Sequence, residues 1–383
     1  MNDLSIIEAE FGDLAPYREG PDFWLSHPDK GGAFIGSLKE AIVRPIGRSA
    51  GGRELVAIEY GEKEPLDATT DNLISALASG QPADFTQLAP AAFYGTTRRE
   101  KPGVVLQGAL HGGELTGTVA SLNLCAVIET GADLRGKAWP NLRELARGTR
   151  LCIVPWLNID GAVRWPLHNP ANVSLALYQR CTQGVALDGT KYQYPKSKGV
   201  FPIPPDGTAF MGSYYNDAGA NLQYDAFTLR RQPETEAWMT YYLQERPDGV
   251  VMWHCNAGTM ILSSAPTPRL RAEVSRMAGA VRQRLVREGY AVTRLSVEGG
   301  TSEGAFNQGD AVYYTCGATP VTCELPAGLD IQPYTCDEML DIGLITIEEI
   351  LFYAHHDGLR GGEYWDKVKR LLQFGRSPNQ NRA

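Results

Sequence analysis

Long runs of like charge are missing from this sequence, and so are long apolar runs. Its 36 basic residues are interspersed with 44 acidic ones, for a formal net charge of -8, and no basic cluster of the kind that tracks a phosphate backbone occurs. A nucleic-acid partner is not expected. No stretch approaches the roughly 18 uninterrupted apolar residues of a membrane span. The start, Met1-Asn2-Asp3-Leu4-Ser5-Ile6-Ile7-Glu8, has neither the basic flank nor the apolar core of a secretory leader. Together these absences give the expectation of a soluble, cytoplasmic protein with no membrane partner. Paired cysteines are lacking too: the 7 cysteines are an odd number and form no CxxC, which reads as reduced, mostly buried thiols rather than a stapled secreted scaffold. Internal repeats and low-complexity segments are absent, and no signal of oligomeric state is present.

What is there suits a large core. The chain has 383 residues and 43% hydrophobic content, a length that often serves one α/β domain. Strand-like runs occur at 55–60, 103–108, 151–155, 249–253 and 320–324, most of them short and almost entirely apolar, as in central strands covered on both faces. Helical periodicity alternates with them near 115–129, 233–245, 267–288 and 337–355. Alternation of this kind predicts an α/β fold with a mixed, largely parallel sheet. The stretch from about 165 to 230, rich in Pro, Asn, Gly and Tyr, is read as long surface loops of the sort that shape binding sites.

Chemistry-bearing residues fall at the ends of the predicted strands. His111 and Glu114 form an HxxE pair directly after the run 103–108, and His254 closes the run 249–253. Ligands of open α/β sheets bind outside the carboxyl ends of strands. Two imidazoles and one carboxylate are a known ligand set for catalytic zinc, with the fourth position left to water. Either piece alone has a plain reading, since HxxE arises by chance and a histidine after a strand is often a satisfied structural residue. A third residue, Glu324, closes the run 320–324. Standing alone it reads as a strand-end side chain facing solvent; beside a zinc ion its useful role is general base.

At this point the sequence resembles the zinc carboxypeptidase family typified by carboxypeptidase A. The segment Ile46-Gly47-Arg48-Ser49-Ala50-Gly51-Gly52-Arg53 is similar to the family's opening hairpin, and Asn158-Ile159-Asp160-Gly161 to its Asn-Pro-Asp-Gly turn. Gln232-Pro233-Glu234-Thr235 is similar to the helix start that precedes the third ligand, and Ala305-Phe306-Asn307-Gln308-Gly309 and Cys323-Glu324-Leu325 resemble the substrate-covering loop and the catalytic strand. The resemblance implies a mixed sheet of about eight strands flanked by helices, one zinc per chain held by His111, Glu114 and His254, amide hydrolysis with Glu324 as base, and an arginine at the oxyanion. Arg164 and Arg180 are the candidates for that arginine. It also implies a catalytic domain over 36–372, with an N-terminal extension 1–35 and a tail 373–383.

Two departures bear on specificity. Where the family has an Asn-Arg pair that grips the substrate's terminal carboxylate, the sequence reads Asn221-Leu222, and leucine makes no bidentate bond. Phe306 stands in place of the tyrosine that caps the bound peptide, and lacks its hydroxyl. The leading expectation is a zinc-dependent hydrolase of peptide bonds, acting on a peptide or acylated amino acid. An N-acyl amino acid deacylase of the succinylglutamate desuccinylase and aspartoacylase type is the enzymatic alternative, and a non-catalytic zinc- or peptide-binding protein the alternative of another class. Retention of three ligands and Glu324 speaks against the last. Should Glu324 not be the base, Glu298 and Glu303 are next in line.

Overall fold

The computed structural model describes residues 4–65, 99–192, 202–256, 260–262, 268–290, 307–356 and 359. Phe306, Glu298, Glu303 and the tail 373–383 lie outside them. Each of the five strand-like runs is a strand: β2 (Glu54–Tyr60), β3 (Gly103–Gln107), β4 (Arg150–Val154), β7 (Gly249–Asn256) and β9 (Thr319–Pro326). They are joined by β1 (Ile42–Arg48) and β8 (Met260–Leu262), while β5 (Val185–Ala186) and β6 (Thr208–Phe210) pair separately.

Among the described residues the main sheet has seven strands, in the order β1-β2-β4-β3-β7-β9-β8. The four central strands run parallel, and antiparallel strands flank them on both edges. Alternate residues of these strands face two cores. Val104, Leu106, Trp253 and Cys323 belong to one cluster, whereas Val105, Val154 and Met252 belong to the other. Coverage on both faces explains why the strands read as continuous apolar runs rather than alternating ones.

All four expected helices form: α1 (Thr116–Thr130), α2 (Pro233–Glu245), α3 (Pro268–Arg287) and α4 (Cys336–His355). α1 is apolar around most of its surface and buried from Thr116 to Ile128, and it stops at Gly131, whose φ of 90° suits a residue without a Cβ. α4 opens with a capping box, in which the Thr335 side chain accepts from the Glu338 amide and Glu338 accepts from the Thr335 amide. Close approach of α1 and α4 depends on Gly343, where a Cβ would lie 2.6 Å from that of Ala120.

The stretch 165–230 differs from its expectation as surface loop. It contains the helix Leu175–Gln183 and many buried residues, among them Tyr215, Asn216, Asn221 and Leu222. Buried side-chain amides and carboxylates satisfy its backbone in place of a regular ladder: Asn216 Oδ1 accepts from Ala218 and Ala220, and Asp225 Oδ2 from Gln232. The N-terminal segment also packs onto the main core. Ile7, Leu14, Trp24, Leu25 and Ile35 share the cluster of Leu122 and Trp156.

That docking is tight at Gly31, where a Cβ would sit 2.3 Å from the buried Trp156 ring and 3.1 Å from Leu122. Gly31→Val is expected to destabilise the fold by about 1–3 kcal/mol through overpacking and to expose the first 35 residues to proteolytic nicking. Chemical unfolding together with limited proteolysis checks this, and wild-type behaviour in both would show that the segment is not held there.

Candidate metal centre and active site

The turn after β3 is built by close backbone approach. Ala109 carries a φ of 45°, an uncommon backbone state for a residue with a Cβ, directly before the Leu110-His111 step. Its carbonyl accepts from the Asn158 amide at 2.8 Å, and the Gly108 carbonyl accepts from Leu157 at 3.1 Å. A Cβ at Gly112 would lie 2.2 Å from the Gly161 carbonyl carbon, and one at Gly113 would meet the Trp165 ring at 2.5 Å. The two glycines between His111 and Glu114 are therefore required by contact with the 158–165 segment.

On the neighbouring strand, His254 comes from the carboxyl-terminal part of β7 and pairs in register with Glu324 of β9. In a parallel pair, aligned residues share a face, so the half-buried Glu324 lies beside His254 on the side of Met252. Glu114 Oε2 is 3.0 Å from His111 Nδ1 and 2.8 Å from His254 Nδ1. All three residues are buried, and their ligating atoms lie within 4.8 Å of one another. Burial works against the Glu114 carboxylate, but the two imidazoles outweigh it and hold the carboxyl well below its usual range. Two neutral-capable nitrogens and one ionised oxygen, converging in a water-poor setting, fit a single zinc ion. The His111 ring also lies 4.3 Å from that of Tyr214.

Behind this cluster, the separate motifs of the sequence meet at one carboxylate. Asp160, fully buried, accepts from Ser49 Oγ at 2.6 Å, Gly51 N at 2.8 Å, Arg53 Nη1 at 2.7 Å and Asp217 N at 3.1 Å. A second buried acid, Glu234, accepts from Ala50 N at 2.9 Å and from Asn216 Nδ2 at 3.2 Å. The hairpin 48–53, the turn 158–161, the loop 216–221 and the start of α2 are thus bolted together.

The remaining site candidates divide. Asn221 is buried, caps the short turn Leu222–Tyr224 with its side-chain oxygen, and leaves Nδ2 without a partner among the described residues. Leu222 points into the core with Trp238 and Tyr242, so it does not line an open pocket. Arg164 is committed to the Asp217 carboxylate and the Tyr215 carbonyl. Arg180 is held by Glu10 of the N-terminal helix Ser5–Phe11, with Nε donating at 2.8 Å. Sequence reading missed Asp160 and Glu234 as site supports and Tyr214 and Tyr178 as site neighbours. Asp160 and Glu234 were visible as motif letters only, because their partners lie up to 184 residues away.

Residues 41–264, more than half of the chain, match the family described as zinc carboxypeptidase, and the chain belongs to that family. It is a zinc-dependent, carboxypeptidase-like metallopeptidase with a His-Glu-His cluster able to bind one metal ion. Among solved structures it is similar to a metallo-carboxypeptidase from Burkholderia cenocepacia, at 17% identity and a TM-score of 0.52, over 86% of this chain and 69% of that one. A metallo-carboxypeptidase from Pseudomonas aeruginosa, in complex with (2-guanidinoethylmercapto)succinic acid, matches at 14% identity and a TM-score of 0.48, over 86% and 68%. At such identities the first of these likenesses shows the fold. No curated protein sequence matches this chain. Among the described residues no helix is long and apolar enough to cross a membrane.

Burial pushes the Glu234 carboxyl from 4.5 up to about 7, against the opposing donors. The folded protein therefore holds this proton more tightly than the unfolded chain. Its contribution to stability is full below about pH 4.5 and is lost as pH rises through about 7. Glu234→Gln stays neutral, so its unfolding free energy should change less than wild type between those pH values and gain on wild type at pH 8. Parallel profiles for the two proteins would show that Glu234 titrates normally.

Proposed function

We propose that His111, Glu114 and His254 hold the zinc ion, one per chain, and that Glu324 is the general base for hydrolysis of a peptide or acylated amino-acid amide. The observation that carries this reading is the convergence of three ligating atoms within 4.8 Å, with Glu324 in register beside His254. When bound, zinc supplies Lewis acidity that polarises a carbonyl and makes water nucleophilic near neutral pH. Glu324 takes the proton of the attacking water and returns it to the leaving nitrogen, a task suited to a carboxylate that is neither fully buried nor fully exposed. Asn221 offers a substrate hydrogen bond through Nδ2.

Between the arginine candidates, Arg164 is favoured over Arg180. It sits on the helix Ile159–Arg164, whose start packs on the His111 turn, whereas Arg180 is turned to the N-terminal helix. The catalytic unit in this proposal spans 36–372, preceded by the extension 1–35, whose described residues 4–35 pack on it. A cytoplasmic location belongs to the same reading and is supported by seven cysteines, all buried and none in a disulfide.

Glu324→Gln should keep one zinc per chain by elemental analysis, keep the fold, and lose at least about a hundredfold in turnover. His111→Ala or His254→Ala should lose the metal. Wild-type turnover in Glu324→Gln would place the base elsewhere.

Leu222 sets the second expectation. A site built around a buried arginine–carboxylate pair rejects ligands lacking the carboxylate by orders of magnitude. With leucine there, turned into the core, amidating a substrate's terminal carboxylate should change kcat/KM by less than about tenfold, or 1.4 kcal/mol. A matched pair of free-acid and amidated substrates tests this. A thousandfold preference for the acid would show that another cation occupies the pocket.

A further inference from the structure

The two histidines of the metal cluster are held by different means. His254 is fixed by the pairing of β7 with β9, whereas His111 stands on a turn. Rotation about the Cβ–Cγ bond of a histidine is broad, so the backbone of that turn does not set the plane of the His111 ring. The orientation of a ligating imidazole comes from its outer partners. Glu114 Oε2, 3.0 Å from His111 Nδ1, is itself a proposed ligand and so does not serve as an outside brace.

The brace is aromatic. The centroid of the Tyr214 ring lies 4.3 Å from that of His111, with the planes tilted by 44°, and the His254 ring meets His111 nearly edge-on, at 5.0 Å and 66°. His111 is fully buried and Tyr214 is 7% exposed, so the imidazole packs against two flat side chains away from solvent.

Tyr214 orients His111 only if it is itself fixed, and main-chain hydrogen bonds fix it. The Ser213 carbonyl accepts from the Gly112 amide at 2.8 Å and from Asn158 Nδ2 at 3.2 Å, which ties the residue before Tyr214 to the residue after His111. The same segment is laid along the end of the helix Leu175–Gln183: Ser213 N donates to the Cys181 carbonyl and Tyr214 N to that of Thr182, each at 3.0 Å. Arg164 donates to the Tyr215 carbonyl. The approach is close enough to require glycine, since a Cβ at Gly212 would lie 2.2 Å from the Thr182 carbonyl oxygen.

We propose that Tyr214 is the positioning residue for His111: its ring fixes the plane of the imidazole so that Nδ1 faces Glu114 and His254. Anchoring of residues 212–215 on the helix Leu175–Gln183 then sets how tightly zinc is held. The role deepens the zinc-site reading above, on which it rests, and requires no contact between Tyr214 and substrate.

The test is the zinc affinity of the full chain, measured by competition with a chromogenic chelator, for the wild type and for Tyr214→Phe, Tyr214→Leu and Gly212→Ala. Tyr214→Leu keeps apolar bulk, loses the flat ring, and should weaken zinc binding about 10–100-fold, the scale on which outer partners of a metal ligand act. Tyr214→Phe restores the ring and should stay within about threefold of the wild type. Gly212→Ala replaces no ligand but forces the segment off the Thr182 carbonyl, and should weaken binding by about tenfold; it carries the test should Tyr214→Leu not fold. Visible spectra of the cobalt-loaded proteins separate positioning from packing. A loss of stability alone leaves the spectrum of the folded, saturated site unchanged, whereas a turned imidazole shifts it in Tyr214→Leu and not in Tyr214→Phe. Wild-type affinity in Tyr214→Leu or Gly212→Ala, an unchanged cobalt spectrum in Tyr214→Leu, or binding by Tyr214→Phe as weak as by Tyr214→Leu would overturn the positioning role, while His111→Ala still loses the metal. Zinc held as tightly by His111→Ala as by the wild type would instead overturn the ligand reading itself.

Discussion

The in-register pairing of β7 with β9 is the constraint on which the site depends. Because His254 and Glu324 are aligned partners across a parallel ladder, their separation is set by the spacing of strands, about 4.8 Å, rather than by loop conformation. A one-residue slip would turn one of the two to the opposite face and bury its charge in the core with Trp253 and Cys323. The apolar neighbours Val251, Trp253, Val321 and Cys323 thus do more than fill space: burying them disfavours any one-residue slip that would turn a polar side chain off the working face.

The opposite wall of the site has no ladder to fix it, and a buried carboxylate takes that role. Asp160 collects four hydrogen bonds from Ser49, Gly51, Arg53 and Asp217, so an uncompensated charge is avoided and three chain segments are held to one point. The same turn presses Gly161 against Gly112, leaving no room for a side chain between His111 and Glu114. Positive φ at Ala109 is sustained by this enclosure, since its carbonyl is pinned by Asn158. Packing of the 158–165 segment is therefore transmitted directly to the orientation of the first histidine.

Legibility of the sequence followed the same division. Residues at strand ends, namely His111, Glu114, His254 and Glu324, could be read because a short apolar run announces both the strand and the point where it stops. The central strands and the four long helices were legible for the same reason. The 165–230 stretch was not, because its order comes from side-chain amides and carboxylates, such as Asn216 and Asp225, bonding to backbone. Such bonds leave no periodicity. Arg164 and Arg180 looked alike in sequence and separate only through partners far along the chain, Asp217 and Glu10. The N-terminal segment looked like an extension because the family resemblance begins downstream of it, at the hairpin around Ile46; what fixes it is the fit of Gly31 against Trp156.

These features bear on how a family scaffold can change substrate without changing chemistry. Of the proposed ligands and base, His254 and Glu324 sit on the rigid sheet, where a shift would cost register and core burial together, and His111 and Glu114 sit on the turn that the 158–165 segment holds. Position 222, by contrast, lies in a segment that the sheet does not dictate. In the proposed reading, Leu222 in place of an arginine lifts a charge requirement on one side of the scissile bond, and the leucine is absorbed into the core beside Trp238. A charged clamp selects by one functional group, and an apolar side chain in its place makes no such demand. The polar groups proposed to carry the hydrolysis meanwhile stay where β7, β9 and the turn after β3 place them, so a change such as Leu222 alters recognition without touching the chemistry.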